Sequence, residues 1–432
     1  MEFIEIIVLI VSFLFLLIIG VPIAFSIGIS ALLTMLVSIA PVPAFTTLAQ
    51  RLATGLDSFA LLAIPFFILA GQLMNRGGIA TRLIDFAKSM VGTLPGGLAY
   101  VNIVANMLFG AISGSAVAAA SAIGGIMNPR MVKEGYSRSF SAAVNITSAT
   151  TGMIIPPSNI LIVYSLASGG VSIAALFVAG YVPGLLLGFS LIGMAGFMAY
   201  KNKYPVGDRI PLSVVLKKLI DALPSLFLLF IVIGGIIAGV FTATEASAIA
   251  VLYTVVLSMV VYREVKVADL PEILITTVIT TAIVMLLIGT SMGMSWVMSF
   301  ENIPQAVSEA LLSISDNKIV ILIIINLILL FVGIFMDMTP AVLIFTPIFL
   351  PVVTALGVHP VHFGILMVFN LCIGLCTPPV GSVLFVGCGV ANISISKVIK
   401  PLIPLFLAML VALLLVTYIP ALSLWLPEVF GL

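Results

Sequence analysis

The chain has 432 residues, 62% of them hydrophobic and 8% charged, with a mean hydropathy of +1.36 and a formal net charge of +1. Too few polar side chains are present to coat a soluble globule of this size, so the composition predicts a polytopic protein that lives in a bilayer. The near-neutral charge, without a basic run or aromatic-basic interleaving, excludes a nucleic-acid binder, and no soluble stretch of domain size remains.

The opening residues, MEFIEII, lack the basic n-region of a cleavable signal, which predicts that the first apolar span is retained. A crossing takes about 20 apolar residues, and ten segments are read as spans: 4–19, 22–40, 60–75, 139–167, 174–200, 219–240, 244–262, 272–298, 361–391 and 401–426. The first two are short, and the alternative is one tilted helix bent at Gly20–Pro22. Between spans, IATRLIDFAKSMVG from Ile79 has helical periodicity with its charges on one face, as a surface-lying helix does. It is either a bracing arm or a plain connection, and Asp57 and Asp85 in such stretches are expected to be solvated. Two further apolar stretches, 97–129 and 318–356, are interrupted by the tips GAISGSAV and GIFMDMTPAV; their short arms predict re-entrant hairpins.

The dipeptide Pro-Pro closes a matched phrase twice, in GMIIPPSN from Gly152 and GLCTPPVG from Gly374, 222 residues apart. Proline removes an amide donor and clashes with the preceding turn, so each copy predicts a helix broken at membrane depth with carbonyls that hydrocarbon cannot solvate. The spacing is about half the chain and marks an internal repeat, 1–205 and 206–432. Each half holds one hairpin (97–129, 318–356) and one broken helix (139–167, 361–391). If 76–96, 129–139, 201–218, 263–271 and 392–400 face the cytoplasm, they contain every Lys and Arg except Arg51 and Lys318, Arg209 included. The first hairpin then opens toward the cytoplasm and the second outward, the repeats are inverted, and both termini lie outside. The fold class is all-α and polytopic, with about ten transmembrane helices and two re-entrant hairpins. Repeated Gly/Pro-interrupted spans are the sequence pointer to a secondary transporter's binding site.

Hard oxygen donors gather at these places. The first tip is Ser113-Gly114-Ser115, and the first break offers Thr147, Ser148, Thr150, Thr151 and the carbonyls from Gly152 to Pro157. Such a set suits a small monovalent cation, sodium rather than a transition metal, whose His, Cys and carboxylate clusters are missing. The second copy has Gly333, Asp337, Thr339 and Pro340 at the tip, with Gly374, Cys376, Thr377, Pro378 and Pro379 at the break. Asp337 is a carboxylate at membrane depth. It either supports a cation, orients the tip through backbone amides, binds a proton, or caps a helix. Asn159 and Ser382 follow the two breaks and are expected to face one central region, where they could bond a polar solute. Without a Lys or Arg predicted at midplane, an anionic solute depends on bound cations, helix N-termini and hydroxyls. Thr242 and Glu245 have capping-box spacing. Cys372, Cys376 and Cys388 read as core packing, and His359 with His362 as loop residues rather than a metal site. No P-loop and no Ser/His, Asp/Asp or H-E-x-x-H arrangement is present, so the chain is not read as an enzyme. An ion channel with re-entrant filter loops is the alternative to a transporter.

The motifs LLAIPFFILAGQLMNRGGIATRL, FGAISGSAVA, GMIIPPSNILIVY, GVFTATEA, GIFMDMTPAVLIFTPIFLPV and GLCTPPVGSVLFV, in this order, resemble the large membrane (M) subunit of tripartite ATP-independent periplasmic (TRAP) transporters over nearly the whole length. The resemblance implies an elevator mechanism and sodium-driven uptake of a small organic anion across a bacterial inner membrane. It also implies two partners, a small four-helix membrane (Q) subunit and a periplasmic solute-binding (P) protein. The family's ligands for the two or more transported sodium ions would fall on Ser113, Ser115, Gly152, Ile155 and Pro157, and around Gly333, Asp337, Gly374, Thr377 and Pro379. Substrate contacts would fall on Ser115, Asn159 and Ser382. Gln72, Ala119 and Asn159 depart from residues common in the family, which favours a sugar acid such as sialic acid over a C4-dicarboxylate.

Overall fold

The computed structural model describes residues 2–206, 211–315 and 317–432; Arg209 of the expected cytoplasmic set lies outside them. The first half runs α1 (Glu2–Ile18), α2 (Ile23–Ser38), α3 (Pro41–Gly55), α4 (Ala63–Arg76) and α5 (Ile79–Val91). It continues with α6 (Gly97–Ser113), α7 (Ala116–Lys133), α8 (Arg138–Ala149), α9 (Asn159–Ala167) and α10 (Ile173–Lys201). The second half runs α11 (Leu212–Ile237), α12 (Ala243–Val255), α13 (Leu270–Phe300), α14 (Ile303–Ile314) and α15 (Lys318–Phe335). It ends with α16 (Met338–Ala355), α17 (Pro360–Gly374), α18 (Ser382–Val390), α19 (Ile395–Tyr418) and α20 (Ala421–Val429). Eight helical stretches are long and apolar enough to cross a membrane, and the chain is an all-α polytopic membrane protein with two inverted-topology repeats.

Both expected hairpins form, as α6/α7 and α15/α16, and both Pro-Pro phrases interrupt a helix, between α8 and α9 and between α17 and α18. The Pro156–Pro157 and Pro378–Pro379 bonds are both cis. The opening pair is two helices that pack on each other, not one bent rod. Gly20 turns the chain between them at φ +85°, a left-handed conformation that glycine adopts without penalty. Thr242 and Glu245 make the expected capping box at the start of α12.

Three expectations need correction. The span read as 401–426 is two helices, because Pro420, which lacks an amide donor, starts a new one after Tyr418. The stretch 41–55, left without an element, is α3, whose apolar and polar residues segregate to opposite faces instead of forming a continuous apolar run. Asp85 is not simply solvated: Lys218 Nζ donates to it at 2.8 Å and Arg130 lies 3.9 Å away. Its partners are distant in sequence, on α11 and α7, and only folding brings them together.

The halves interlock by exchange. The contacts of α7 with α18 are answered by α16 with α9, those of α8 with α19 by α17 with α10, and those of α2 with α13 by α12 with α4. At the centre, Cys372 Sγ donates to the Thr150 carbonyl at 3.4 Å, joining positions 222 apart in sequence. That separation is the repeat spacing, so equivalent residues touch and the pseudo-twofold axis passes between them. The largest fully buried side chains are aromatic, among them Tyr164, Phe109, Phe140, Phe177, Phe363 and Phe369. Large apolar side chains such as Phe15, Phe230, Ile279 and Phe331 are exposed on the outer helices, as a hydrocarbon solvent allows.

Buried amides tie each hairpin to the neighbouring broken helix. Asn106 Nδ2 on α6 lies 2.7 Å from Asn102 Oδ1, 3.1 Å from Asn145 Oδ1 and 2.9 Å from Ser148 Oγ. In the second half Asn370 donates to Asn326 Oδ1 at 2.9 Å, and Asn326 to Thr417 Oγ1 at 3.1 Å. His362, expected in a loop, instead lies buried in the first turn of α17 and belongs to the same half's polar core, with Nδ1 2.6 Å from Ser423 Oγ.

Candidate functional site

Where hairpin and broken helix cross, glycines let backbone touch backbone. A Cβ on Gly110 would stand 2.8 Å from Gly152 Cα, and one on Gly374 would stand 2.6 Å from Gly333 Cα. Each repeat therefore presses its hairpin against the last intact turn before its break, and any side chain at these positions would force the pair apart. Gly71 does the same between α4 and the first tip, where a Cβ would meet the Ser113 carbonyl at 2.9 Å.

The first tip turns at Gly114, with φ +62°. Ser115 is the N-cap of α7, its hydroxyl accepting from the Ala118 amide at 3.2 Å, and Asp337 holds the equivalent place on α16, 222 residues on. Asp337, however, makes no capping hydrogen bond through its side chain, so its carboxylate is available to the cavity that it lines. A Cβ on Gly114 would lie 3.1 Å from Asn159 Nδ2, which places the first tip directly against the first turn of α9.

The first break is buried and its polar groups divide in two. The hydroxyls of Thr147, Ser148, Thr150 and Thr151 donate back to carbonyls of their own helix, and Ser158 Oγ donates to the Met153 carbonyl. Among the described residues no hydrogen bond reaches the carbonyls of Gly152, Ile155 or Pro157. Buried carbonyls without a protein donor call for another partner, water or a cation. At the second break more carbonyls are claimed: those of Gly374 and Thr377 accept from the Thr377 and Gly381 amides at 2.9 and 3.1 Å, whereas those of Gly333 and Pro379 accept no hydrogen bond among the described residues.

A central cavity of about 500 Å³ joins the pieces. Ser113, Ser115, Asn159 and Asp337 line it together. Ser382 does not. The first turn of α18 lies behind Leu375, whose carbonyl accepts from the Leu384 amide at 3.3 Å, and Leu375 rather than Ser382 meets the cavity. Gly152, Ile155, Pro157, Gly333, Gly374, Thr377 and Pro379 are not among its lining residues; the first five are buried, Thr377 is half-buried and Pro379 is exposed. Gln72, Asn75, Ser121 and Thr280 also line it. Asn75, Ser121 and Thr280 were not singled out in sequence, because isolated amides and hydroxyls on long spans carry no spacing signal. The lining is amide- and hydroxyl-rich, with one carboxylate and, among the described residues, no Lys or Arg. A wall of this kind can bond a polyol and can accept an anion's charge only with a cation alongside.

The cavity opens at one end. Gln72 and Asn75 sit in the closing turn of α4 beside Arg76, which pairs with Glu272 at the start of α13, while at the other end α13 packs directly on α16. The exchanged pair, α4 and α7, is held apart with the cavity between them. The molecule is therefore open toward its Lys/Arg-rich end.

The family described as "Tripartite ATP-independent periplasmic transporter, DctM component" matches residues 10–422. The chain is 59% identical over 426 residues to "Uncharacterized protein YgiK" of Salmonella typhimurium, covering 99% of this chain and 98% of that one. It is 39% identical to "C4-dicarboxylate TRAP transporter large permease protein DctM" of Rhodobacter capsulatus, covering 96% of each. It is also 39% identical to "Sialic acid TRAP transporter large permease protein SiaM" of Vibrio cholerae, covering 95% and 96%. Among solved structures, the Alcanivorax borkumensis YdaH transporter superposes with a TM-score of 0.62 at 14% identity, covering 90% of this chain and 88% of that one, a likeness of fold alone. With a match along nearly its whole length and these full-length relatives, the chain belongs to the DctM component family of the tripartite ATP-independent periplasmic transporters, a family of multi-pass transport permeases and not of enzymes.

Proposed function

We propose that the chain performs sodium-coupled secondary uptake of a small organic anion across the bacterial inner membrane, with a sugar acid such as sialic acid favoured. Its hairpins and broken helices form a block that slides as an elevator against the remaining spans. Large permeases of this family work with a small membrane subunit and a periplasmic binding protein. Here we propose a four-helix Q subunit and a P protein that delivers the substrate, with both termini of the chain in the periplasm.

The single observation that carries this reading is the set of unclaimed carbonyls at Gly152, Ile155 and Pro157. With the Ser113 and Ser115 hydroxyls they offer oxygen-only coordination to a sodium ion. Gly333, Asp337, Gly374, Thr377 and Pro379 would provide the second place. Cations there set positive charge near the cavity, where an anion that meets no Lys or Arg needs it. The open end then corresponds to an inward-facing state.

Relatives of equal identity are named for a C4-dicarboxylate and for sialic acid. The cavity favours the second: Asp337 opposes a dianion, while Asn75, Gln72, Asn159, Ser121 and Thr280 suit hydroxyls. Two sodium ions moving with one monoanion carry net charge +1 inward, worth about 2.3 kcal/mol at 100 mV. Each tenfold sodium gradient adds about 1.4 kcal/mol per ion. About 5 kcal/mol in all sustains accumulation of several thousandfold without ATP.

Proteoliposomes holding the chain with its small subunit, supplied with the binding protein and labelled sialic acid, test the reading. Uptake should require inward sodium and the binding protein. Uptake of a C4-dicarboxylate alone removes the substrate assignment, and potassium-supported uptake removes the coupling.

A further inference from the structure

We propose that the Lys/Arg-rich end carries a second ligand site, separate from the central cavity, that binds a phosphate-type oxyanion between α7, α8 and α18. A cavity of about 440 Å³ lies there, lined by Asn128, Pro129, Val132, Lys133, Arg138 and Asn392, among others. No carboxylate lines it. Lys133 makes no ion pair among the described residues, and Arg138 has only the Asn392 carbonyl, at 3.5 Å. Elsewhere at this end Arg76 is engaged by Glu272, Arg82 by Glu264, and Lys218 and Arg130 by Asp85, while Lys266, like Lys133, has no ion pair among the described residues.

A third group points to an anion. Asn128 is 3% exposed, and its Oδ1 accepts from Ser141 Oγ at 2.7 Å. Its Nδ2 has no partner. A buried donor left unpaired costs about 1–3 kcal/mol, and an oxyanion in the cavity would supply the acceptor. One planar guanidinium, one ammonium and one amide donor match the several oxygens of a phosphate better than a single halide.

The concentration of charge in this hollow is not dictated by the repeat. A shift of 222 positions carries Lys133, Arg138 and Asn392 to Ala355, Pro360 and Gly170 at the opposite end of the molecule. Arg138 opens α8 as Pro360 opens α17, and Asn392 and Gly170 both have positive φ, so the backbone corresponds while the cations do not. A bound oxyanion would bridge the first hairpin to the second broken helix, within the block that carries the substrate.

The same chemistry comes from a phospholipid headgroup or from a free phosphate, and two arms separate them. In the first, the purified full chain in nanodiscs of neutral phosphatidylcholine is melted while inorganic phosphate replaces chloride at constant ionic strength. In the second, native mass spectrometry compares retention of phosphatidylglycerol and phosphatidylcholine. A saturable rise in melting temperature identifies a soluble anion, and one preferentially retained phosphatidylglycerol identifies a headgroup. Either response should weaken about tenfold in Lys133→Gln and in Arg138→Gln, and persist in Lys266→Gln, an exposed lysine at the same end. Lys133 is exposed and unpaired, so its substitution leaves the fold intact. Absence of both responses in the parent chain, their persistence in Lys133→Gln, or an equal loss in Lys266→Gln overturns the proposal.

Discussion

Replacing Gly374 by alanine tests the crossing on which the second break depends. The new Cβ would stand 2.6 Å from Gly333 Cα and 2.9 Å from the Gly333 carbonyl. Unstrained carbon pairs sit about 3.5–4.0 Å apart, so α15 and α17 must separate by roughly 1 Å. Neither contact is the far end of a flexible side chain, and overpacking of this kind costs about 1–3 kcal/mol. Alanine recovers about 0.5–1 kcal/mol of backbone entropy relative to glycine in a helix, which leaves a net loss of up to about 2.5 kcal/mol. Gly389 on α18 has nothing within 4 Å of its would-be Cβ, so Gly389→Ala keeps only the gain and should stabilise by about 0.5–1 kcal/mol. Thermal unfolding of both variants in one detergent, followed by intrinsic tryptophan fluorescence, reads the two signs. Gly110→Ala should behave as Gly374→Ala does. If Gly374→Ala melts at or above the parent temperature, close backbone approach is not what holds hairpin to broken helix.

Asn106→Leu removes the amide shared by Asn102, Asn145 and Ser148 and leaves buried acceptors unpaired; thermal melts should show a loss of about 1–3 kcal/mol. Asp85→Asn, by contrast, weakens partly exposed pairs with Lys218 and Arg130 and should change stability by less than about 1 kcal/mol in the same assay. Ser115→Gly deletes the hydroxyl while retaining a tolerated N-cap residue, so together with Ser113→Ala it should raise the sodium concentration needed for half-maximal uptake with little change in melting temperature. Asp337→Asn keeps the shape of the second tip and removes its charge, and should weaken sodium stimulation without loss of folded protein, measured by uptake and by size-exclusion profile.

The breaks, hairpins and inverted order were legible because proline and glycine act locally: Pro156-Pro157 and Pro378-Pro379 end a helix whatever surrounds them. The capping box at Thr242 and Glu245 was legible for the same reason. The meeting of Gly110 with Gly152 was not, since a glycine in a helix does not name the backbone that approaches it. Nor were the partners of Asp85, which lie 45 and 133 residues away on α7 and α11. Ser382 was paired with Asn159 because both follow a break, but the repeat spacing of 222 carries Asn159 to Gly381 and Ser382 to Ile160, and Leu375 rather than Ser382 meets the cavity. Thr147, Ser148, Thr150 and Thr151 each donate to a carbonyl three or four residues earlier, a local bond that any hydroxyl on a helix can make and that spacing alone does not reveal.

The central claim is that the interrupted helices hold alkali cations, and binding of radioactive sodium to the purified full chain measures it directly. The account predicts saturable uptake of two or more equivalents that potassium does not displace and that Ser113→Ala with Ser115→Gly diminishes. Binding that never saturates, or that potassium abolishes equally well, contradicts it.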